Sequence, residues 1–279
     1  MNVFSLGGSR NIGYMAALRM LEPIKTIPTD AGCTVTFLVR NLSTLQNDKM
    51  MSGYINIGKA FLVKGDALVK SDVENGWKEA GTRRPVDLVL FTVGGTPKMD
   101  LMKGYILEPR NLVTQSLLNL MTTIPSSQPQ PKMIIISSNG LTKTSHDALP
   151  YLLKPFYAGV LAGPHNDKVG AERIVHHVAG WEWNTKDDGK PEEAILPSSW
   201  RQITGLPQAG SLNQILVVRP ALLTDGKCEA EKGKGKGYKV SEGEIGGWTI
   251  SRSDVAHFVA DAALNNWGKY VNKRISISY

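Results

Sequence analysis

Val3-Phe-Ser-Leu-Gly-Gly-Ser-Arg-Asn-Ile-Gly13, followed by Tyr14-Met-Ala-Ala-Leu-Arg-Met-Leu21, is the stretch on which the reading of this chain turns. A short apolar run of Val, Phe and Leu enters a glycine-rich turn, and the turn opens an amphipathic helix. Such a strand–turn–helix collects unpaired backbone N–H groups and the positive end of the helix dipole at one point, where a diphosphate can sit. The spacing therefore predicts a nucleotide-binding α/β domain. The strand opens at the second residue, which leaves no room ahead of it for a signal peptide and predicts a cytoplasmic chain.

The rest of the chain repeats this alternation. Short runs, apolar on both faces, occur at Val3–Leu6, Thr34–Val39, Ala60–Val63, Val86–Thr92, Met133–Ser138 and Ile215–Arg219. They read as buried parallel strands. Helical patterns lie between them at Asn11–Leu21, Asp72–Glu79, Glu108–Thr123 and Asp167–Ala179. The order predicts βαβ units in one doubly wound, Rossmann-type parallel sheet over residues 1–279, with no linker that would divide it. Two irregular stretches interrupt the rhythm, at 181–214 with three Trp and three Pro, and at 225–250. Both are expected to be insertions that cap a substrate pocket.

Composition narrows the function. The chain has 279 residues, 42% hydrophobic and 20% charged, as a globular domain with a sizeable core requires. No apolar run approaches the ~20 residues that span a bilayer, so no membrane partner is expected. Cys33 and Cys228 stand alone with no CxxC, which argues against a disulfide framework and against a metal site. Lys and Arg number 32 against 25 Asp and Glu, a net +7 that suits an anionic cofactor. The run Lys232-Gly-Lys-Gly-Lys-Gly237 concentrates part of that charge. Without interleaved aromatics it reads as a solvated loop tip rather than a nucleic-acid contact.

Within the turn, Gly7 permits the tight bend and Gly13 the close approach of helix and strand, while Asn11 replaces a third glycine and tolerates a left-handed backbone. The second strand ends in Arg40-Asn41 with no acid. An acid there would hold the ribose hydroxyls of NAD, whereas an arginine receives the 2′-phosphate of NADP. With Arg10 inside the turn, the expected cofactor is NADP(H).

On these residues the chain resembles the short-chain dehydrogenase/reductases, and more closely the atypical branch that holds the NmrA-like proteins and the biliverdin-B/flavin reductases. The motifs that carry the resemblance run in order along almost the whole length. They are Gly7–Gly13, Arg40, Gly65-Asp66-Ala67-Leu68, Val93-Gly94-Gly95 and Ile136-Ser137-Ser138. Further on come Pro164-His-Asn-Asp-Lys168-Val-Gly-Ala-Glu172, Val218-Arg-Pro220 with Leu223-Thr-Asp-Gly226, and Ile250-Ser-Arg-Ser-Asp254-Val-Ala256. The resemblance implies a cofactor site of Gly7, Ser9, Arg10, Asn11, Ile12, Gly13, Arg40, Asp66, Ala67, Gly94, Gly95 and Lys168. In it Asp66 and Ala67 would meet the adenine, Gly94 and Gly95 the adenosine ribose, and Lys168 the nicotinamide ribose.

The resemblance also implies a catalytic Tyr-x-x-x-Lys pair, and here the chain departs from the pattern. Lys168 is present, but position 164 is Pro, and no Tyr in the chain is followed four places later by Lys. Candidates to replace the phenol are His165, one helical turn before Lys168, Ser138 or Ser137 after the fifth strand, and Tyr157 eleven residues upstream of Lys168. His165 also reads as a residue beside a helix cap at Asn166 or Asp167, and Lys168 as the partner of Glu172 on the helix face. His176 and His177 fall on a helix with the stripe Ala171, Ile174, Val175 and Val178 and read as structural or solvated.

Three functions stay open at this point. One is an NADPH-dependent reductase of a small aromatic or conjugated carbonyl, quinone or flavin-type substrate. Another is a non-catalytic NADP(H)-sensing NmrA-like regulator. The last is a non-redox isomerase or cyclase of secondary metabolism on the same fold.

Overall fold

A computed structural model describes residues 1–22, 32–95, 98–100, 104–106, 108–125, 129–141, 162–232 and 237–279. Along the chain the strands are β1 (Asn2–Leu6), β2 (Thr34–Val39), β3 (Ala60–Lys64), β4 (Leu88–Phe91), β5 (Lys98–Asp100), β6 (Gly104–Ile106), β7 (Lys132–Ile136), β8 (Ile215–Pro220), β9 (Leu222–Thr224), β10 (Lys239–Glu242), β11 (Thr249–Ser251) and β12 (Lys273–Ser278). The helices are α1 (Asn11–Leu21), α2 (Ser43–Gln46), α3 (Lys49–Asn56), α4 (Lys70–Gly81), α5 (Leu112–Met121), α6 (Ala162–Ala179), α7 (Thr185–Asp188), α8 (Arg252–Leu264) and α9 (Trp267–Tyr270).

Eight strands form one sheet in the order β10-β12-β8-β7-β4-β1-β2-β3. Every neighbouring pair is parallel except β10 with β12 at one edge. The chain winds outward from β1 through β2 to β3, returns to β4 on the other side of β1, and winds away through β7 and β8. Strand order therefore reverses between β1 and β4, which opens a crevice at their carboxyl ends, where ligands bind in such sheets.

The six strands expected from the sequence are all present. Alternate residues of β1 face opposite ways: Val3 joins the core under α1 and α8, while Phe4 and Leu6 join the core under α4, α5 and α6. Two strands the pattern did not announce, β10 and β12, complete that sheet. In β12 the apolar residues are only Ile275 and Ile277, set among Lys273, Arg274 and serines, yet both isoleucines are fully packed against the α8 side. Helix α8 is alanine-rich and buries Val255, Phe258 and Val259 in the same core.

The two irregular segments behave differently from one another. None of the described side chains of 181–214 is among those that line the crevice. Its tryptophans cover α6 instead. Trp181 and Trp183 flank the ring of His176 edge-on, Trp200 is buried against His177, and the Leu212 N–H donates to the Val178 carbonyl. The cause is apolar burial: three large rings gain more by covering an outer helix face than by lining an open cleft. Segment 225–250, by contrast, reaches the rim, where Asp225 pairs with Arg252 at 2.7 Å. Within the Lys/Gly run, residues 233–236 lie outside the described residues.

Candidate cofactor cleft and active site

The crevice between β1 and β4 is a cleft lined by the turn after β1, the ends of β2, β3, β4, β7 and β8, and the first turns of α1, α5 and α6. Gly7 adopts φ +84°, and a Cβ there would stand 2.5 Å from backbone atoms of Thr92 and Val93. Only glycine fits, so the turn can pass directly over the end of β4. Asn11 opens α1 at φ 53°, in the left-handed region this residue type tolerates. Position Gly13 is equally closed, since its Cβ would meet Gly8 Cα at 2.9 Å and the Gly7 carbonyl at 3.0 Å. No side chain caps α1, so the N–H groups of its first turn face the cleft with the helix dipole behind them.

Gly7, Ser9, Arg10, Asn11, Ile12 and Gly13 all line this cleft, as do Arg40, Asp66, Ala67, Gly94 and Gly95. Arg10 and Arg40 are both exposed at its β2 end. Asp66 is held in place on two sides: its N–H donates to Asp72 at 2.8 Å, and its carboxylate accepts from Leu68 N–H at 3.0 Å. The Ala67 carbonyl accepts from Asn119 Nδ2 at 2.9 Å. At Gly94 a Cβ would meet no described atom within 4 Å, so nothing in the described protein requires glycine there.

The residues fit NADP(H). A closed glycine turn leads onto an uncapped helix N-terminus suited to a diphosphate, and two arginines line the same cleft near the end of β2, a chemistry suited to a 2′-phosphate. Ser9, Arg10, Asn11, Ile12 and Gly13 would hold the diphosphate side, Arg10 and Arg40 the 2′-phosphate, and Asp66 and Ala67 the adenine.

At the β7–β8 end the cleft is lined by Ser138, His165 and Lys168, with Ala221, Leu222, Leu223 and Arg252 opposite. Helix α6 begins at Ala162, earlier than the sequence suggested, so neither Asn166 nor Asp167 caps it. Asn166 bonds Glu192, while Asp167 reaches across to α5. The alternative reading of Lys168 as the partner of Glu172 gives way to other partners: Lys168 Nζ donates to the Ser137 carbonyl at 2.9 Å, and Glu172 pairs with Arg219. Of the two serines, Ser138 lines the cleft, whereas Ser137 is buried with its hydroxyl on Glu172. Tyr157 lies outside the described residues, so its candidacy as a phenol has no counterpart here.

Burial sets the electrostatics of this corner. It pushes the Lys168 ammonium down to about 8, against the pull of Glu172 and Asp167 in the other direction. Burial likewise raises the Asp167 carboxyl, although the N–H groups of Val113 and Thr114 oppose it. Glu172 would also rise by burial, but Arg219 and the Ser137 hydroxyl hold it below the usual carboxylate range. His176 is lowered by burial, and its Nδ1 lies 2.7 Å from the Glu182 carbonyl, as a packed structural histidine would.

Sequence reasoning missed the roles of Leu112, Val113 and Arg252 in the cleft wall and of Asp167 in anchoring α5. The signal for Leu112 and Val113 was their place at the start of the helix after β4, where first-turn residues face the crevice. Among the described residues no helix is long and apolar enough to cross a membrane, and no group of three or more His, Cys, Asp or Glu is placed to hold a metal ion.

No protein-family model matches the chain. It is 27% identical over 205 residues to the reductase pytE of Aspergillus terreus, covering 69% of this chain and 67% of that protein. Among solved structures it is similar to a short-chain dehydrogenase/reductase of Veillonella parvula in complex with NADP, with TM-score 0.61, 11% identity, and coverage of 99% and 94% of the two chains. It is also similar to ChuY, an anaerobillin reductase of Escherichia coli O157:H7, with TM-score 0.55, 17% identity, and coverage of 99% and 96%. Sheet order, switch point, glycine turn and these likenesses agree: the chain has a Rossmann-type α/β fold, similar to that of the short-chain dehydrogenase/reductases it resembles.

Proposed function

We propose that this protein is an NADPH-dependent reductase of a small conjugated carbonyl, quinone or flavin-type acceptor. One observation carries the reading: a single cleft joins an anion-binding glycine turn and two arginines at one end to Ser138, His165 and Lys168 at the other. A relative named a reductase, and fold neighbours named for NADP and for an anaerobillin reductase, support it.

NADPH, when bound, supplies the hydride. The chain's own residues do the rest. The Ser138 hydroxyl, whose described bond is a 3.2 Å contact to the Asn139 carbonyl, lines the cleft and would donate to a substrate oxygen. Lys168 is fixed on the Ser137 carbonyl and, with its lowered pKa, can hold and release a proton near neutral pH. His165 lies one turn away on the same wall. Pro164 stands in place of a phenol, which favours acceptors that spread the added charge over a conjugated system. Segment 225–250, tied to the rim through Asp225 and Arg252, would border the acceptor.

The absence of Tyr at position 164 favours one second reading, an NADP(H) sensor without turnover. Titration of the protein with NADPH and NADH by nicotinamide fluorescence, followed by an acceptor screen over quinones, flavins and enones, separates the two. Preferential NADPH binding with acceptor-dependent NADPH oxidation supports the reductase. Tight NADPH binding with no oxidation across the screen supports the sensor, and no binding of either nucleotide overturns both.

A further inference from the structure

One turn along α6 from Lys168 lies an almost fully buried ion pair. Arg219 on β8 and Glu172 on α6 are each 2% exposed. Arg219 Nε donates to Glu172 Oε1 at 3.0 Å, and a second guanidinium nitrogen meets Oε2. The same Oε1 accepts the Ser137 hydroxyl. The remaining Arg219 nitrogen reaches Glu244 at 3.2 Å, in segment 225–250. Burying such a pair rarely adds stability over an apolar pair of equal size, so its presence calls for another service.

The geometry names that service. Ser137 is gripped at its hydroxyl by Glu172, at its N–H by the Val218 carbonyl (2.8 Å), and its own carbonyl holds the Lys168 ammonium. We propose that Glu172 is a positioning residue for Lys168: through Ser137 it fixes the carbonyl on which the ammonium rests, and it supplies the buried negative charge one turn away. Arg219 is its counter-ion, and through Glu244 the pair ties segment 225–250 to the same corner. The proposal rests on Lys168 acting in the cleft, as the reductase reading has it.

Among the described residues, the charged and titratable groups around Lys168 include Arg252 of α8 on the opposite wall of the cleft. The helix of Lys168 itself contributes Asp167, Glu172 and His165, with His176 further along beside Arg274. Strand β7 contributes the Ser137 carbonyl, β8 contributes Arg219, and Glu244 lies behind Arg219. The Asp167 carboxylate is already engaged by α5. Burial lowers Lys168, and Glu172 gives the larger of the two opposing attractions. Removing that charge must therefore lower the midpoint further.

The test is a pH titration of protein carrying 13Cε-labelled lysine, with the Lys168 resonance assigned by its loss in Lys168→Arg. Glu172→Gln and the double variant Glu172→Gln/Arg219→Met are compared with the unmodified chain. The double variant removes both buried charges together and so keeps the comparison in a folded protein. A Lys168 midpoint lower by half a pH unit or more in both variants is the expected result. An unchanged midpoint in the folded double variant overturns the proposal, and so does a double variant that does not fold, because the pair's service is then structural. The titration needs no turnover, so absence of NADPH oxidation would count against the reductase reading alone.

Discussion

The carboxylate of Asp167 on α6 accepts the backbone N–H of Val113 at 2.7 Å, and with the N–H of Thr114 at 2.8 Å it caps a helix that is not its own. The residue next to Lys168 thus locks α6 to the start of α5, and both first turns line the cleft. A buried first-turn N–H left without an acceptor costs its full desolvation.

Asp167→Ala orphans two such groups. It is expected to lower unfolding free energy by about 2–4 kcal/mol, read from urea or guanidinium midpoints at constant m. Asp167→Asn keeps one acceptor oxygen and should lose about half as much. Indistinguishable midpoints for Asp167→Ala and the unmodified protein would mean the α5 start finds other partners.

Arg40 carries the cofactor choice. Loss of a hydrogen-bonded charge contact of about 1.5–3 kcal/mol corresponds to roughly tenfold to a hundredfold in Kd. Arg40→Ala should weaken NADPH by that factor and leave NADH within about twofold, by fluorescence titration at fixed salt. Equal losses for both nucleotides would remove the 2′-phosphate from this arginine.

How much of this was legible beforehand follows from what each residue does. Gly7, Asn11 and Gly13 were readable because a tight turn onto a helix restricts residue type locally, and the structure shows the closed contacts and the left-handed Asn11 that the spacing implies. The parallel strands were readable because both of their faces are buried. Strand β12 was not, since its serines and basic start dilute the apolar signal that two isoleucines provide. The partners of Asp167 and Glu172 were hidden for a different reason. They lie 54 and 47 positions away along the chain, at Val113 and Arg219, and helix spacing offered Lys168 as a nearer partner for Glu172. The contacts of segment 181–214 were not legible because tryptophans suit a lid and a helix cover equally, and only the fold brings α6 beneath them.

Lys168 titrates near 8, so its ammonium form predominates below that pH and is lost above it. If it delivers the product's proton, kcat for acceptor reduction should be level below about pH 8 and fall toward tenfold per pH unit above it. Lys168→Arg keeps the positive charge but moves its titration beyond the measured range, and should lower kcat while abolishing that alkaline limb. His165→Ala should leave the limb in place. A limb that vanishes in His165→Ala and persists in Lys168→Arg would transfer the role to the histidine.

Asp254 is buried at the start of α8 and gathers the Ser251 hydroxyl, the N–H groups of Glu229 and Ala230, and the Tyr279 hydroxyl at 2.6 Å. Burial would raise its pKa, but the Tyr279 hydroxyl and these other donors together hold it below the ordinary carboxylate value. A depressed carboxylate contributes stability above its unfolded pKa and loses it as pH falls through the folded one. Tyr279→Phe removes one donor to a charged acceptor and should cost about 1.5–3 kcal/mol at pH 7. That difference should shrink as the pH is lowered through the Asp254 titration, because a protonated carboxyl gains little from the phenol. Denaturant unfolding of both proteins at pH 7 and at successively lower pH measures it, and a gap that stays constant into the acid range would show that Tyr279 contributes by packing rather than through Asp254.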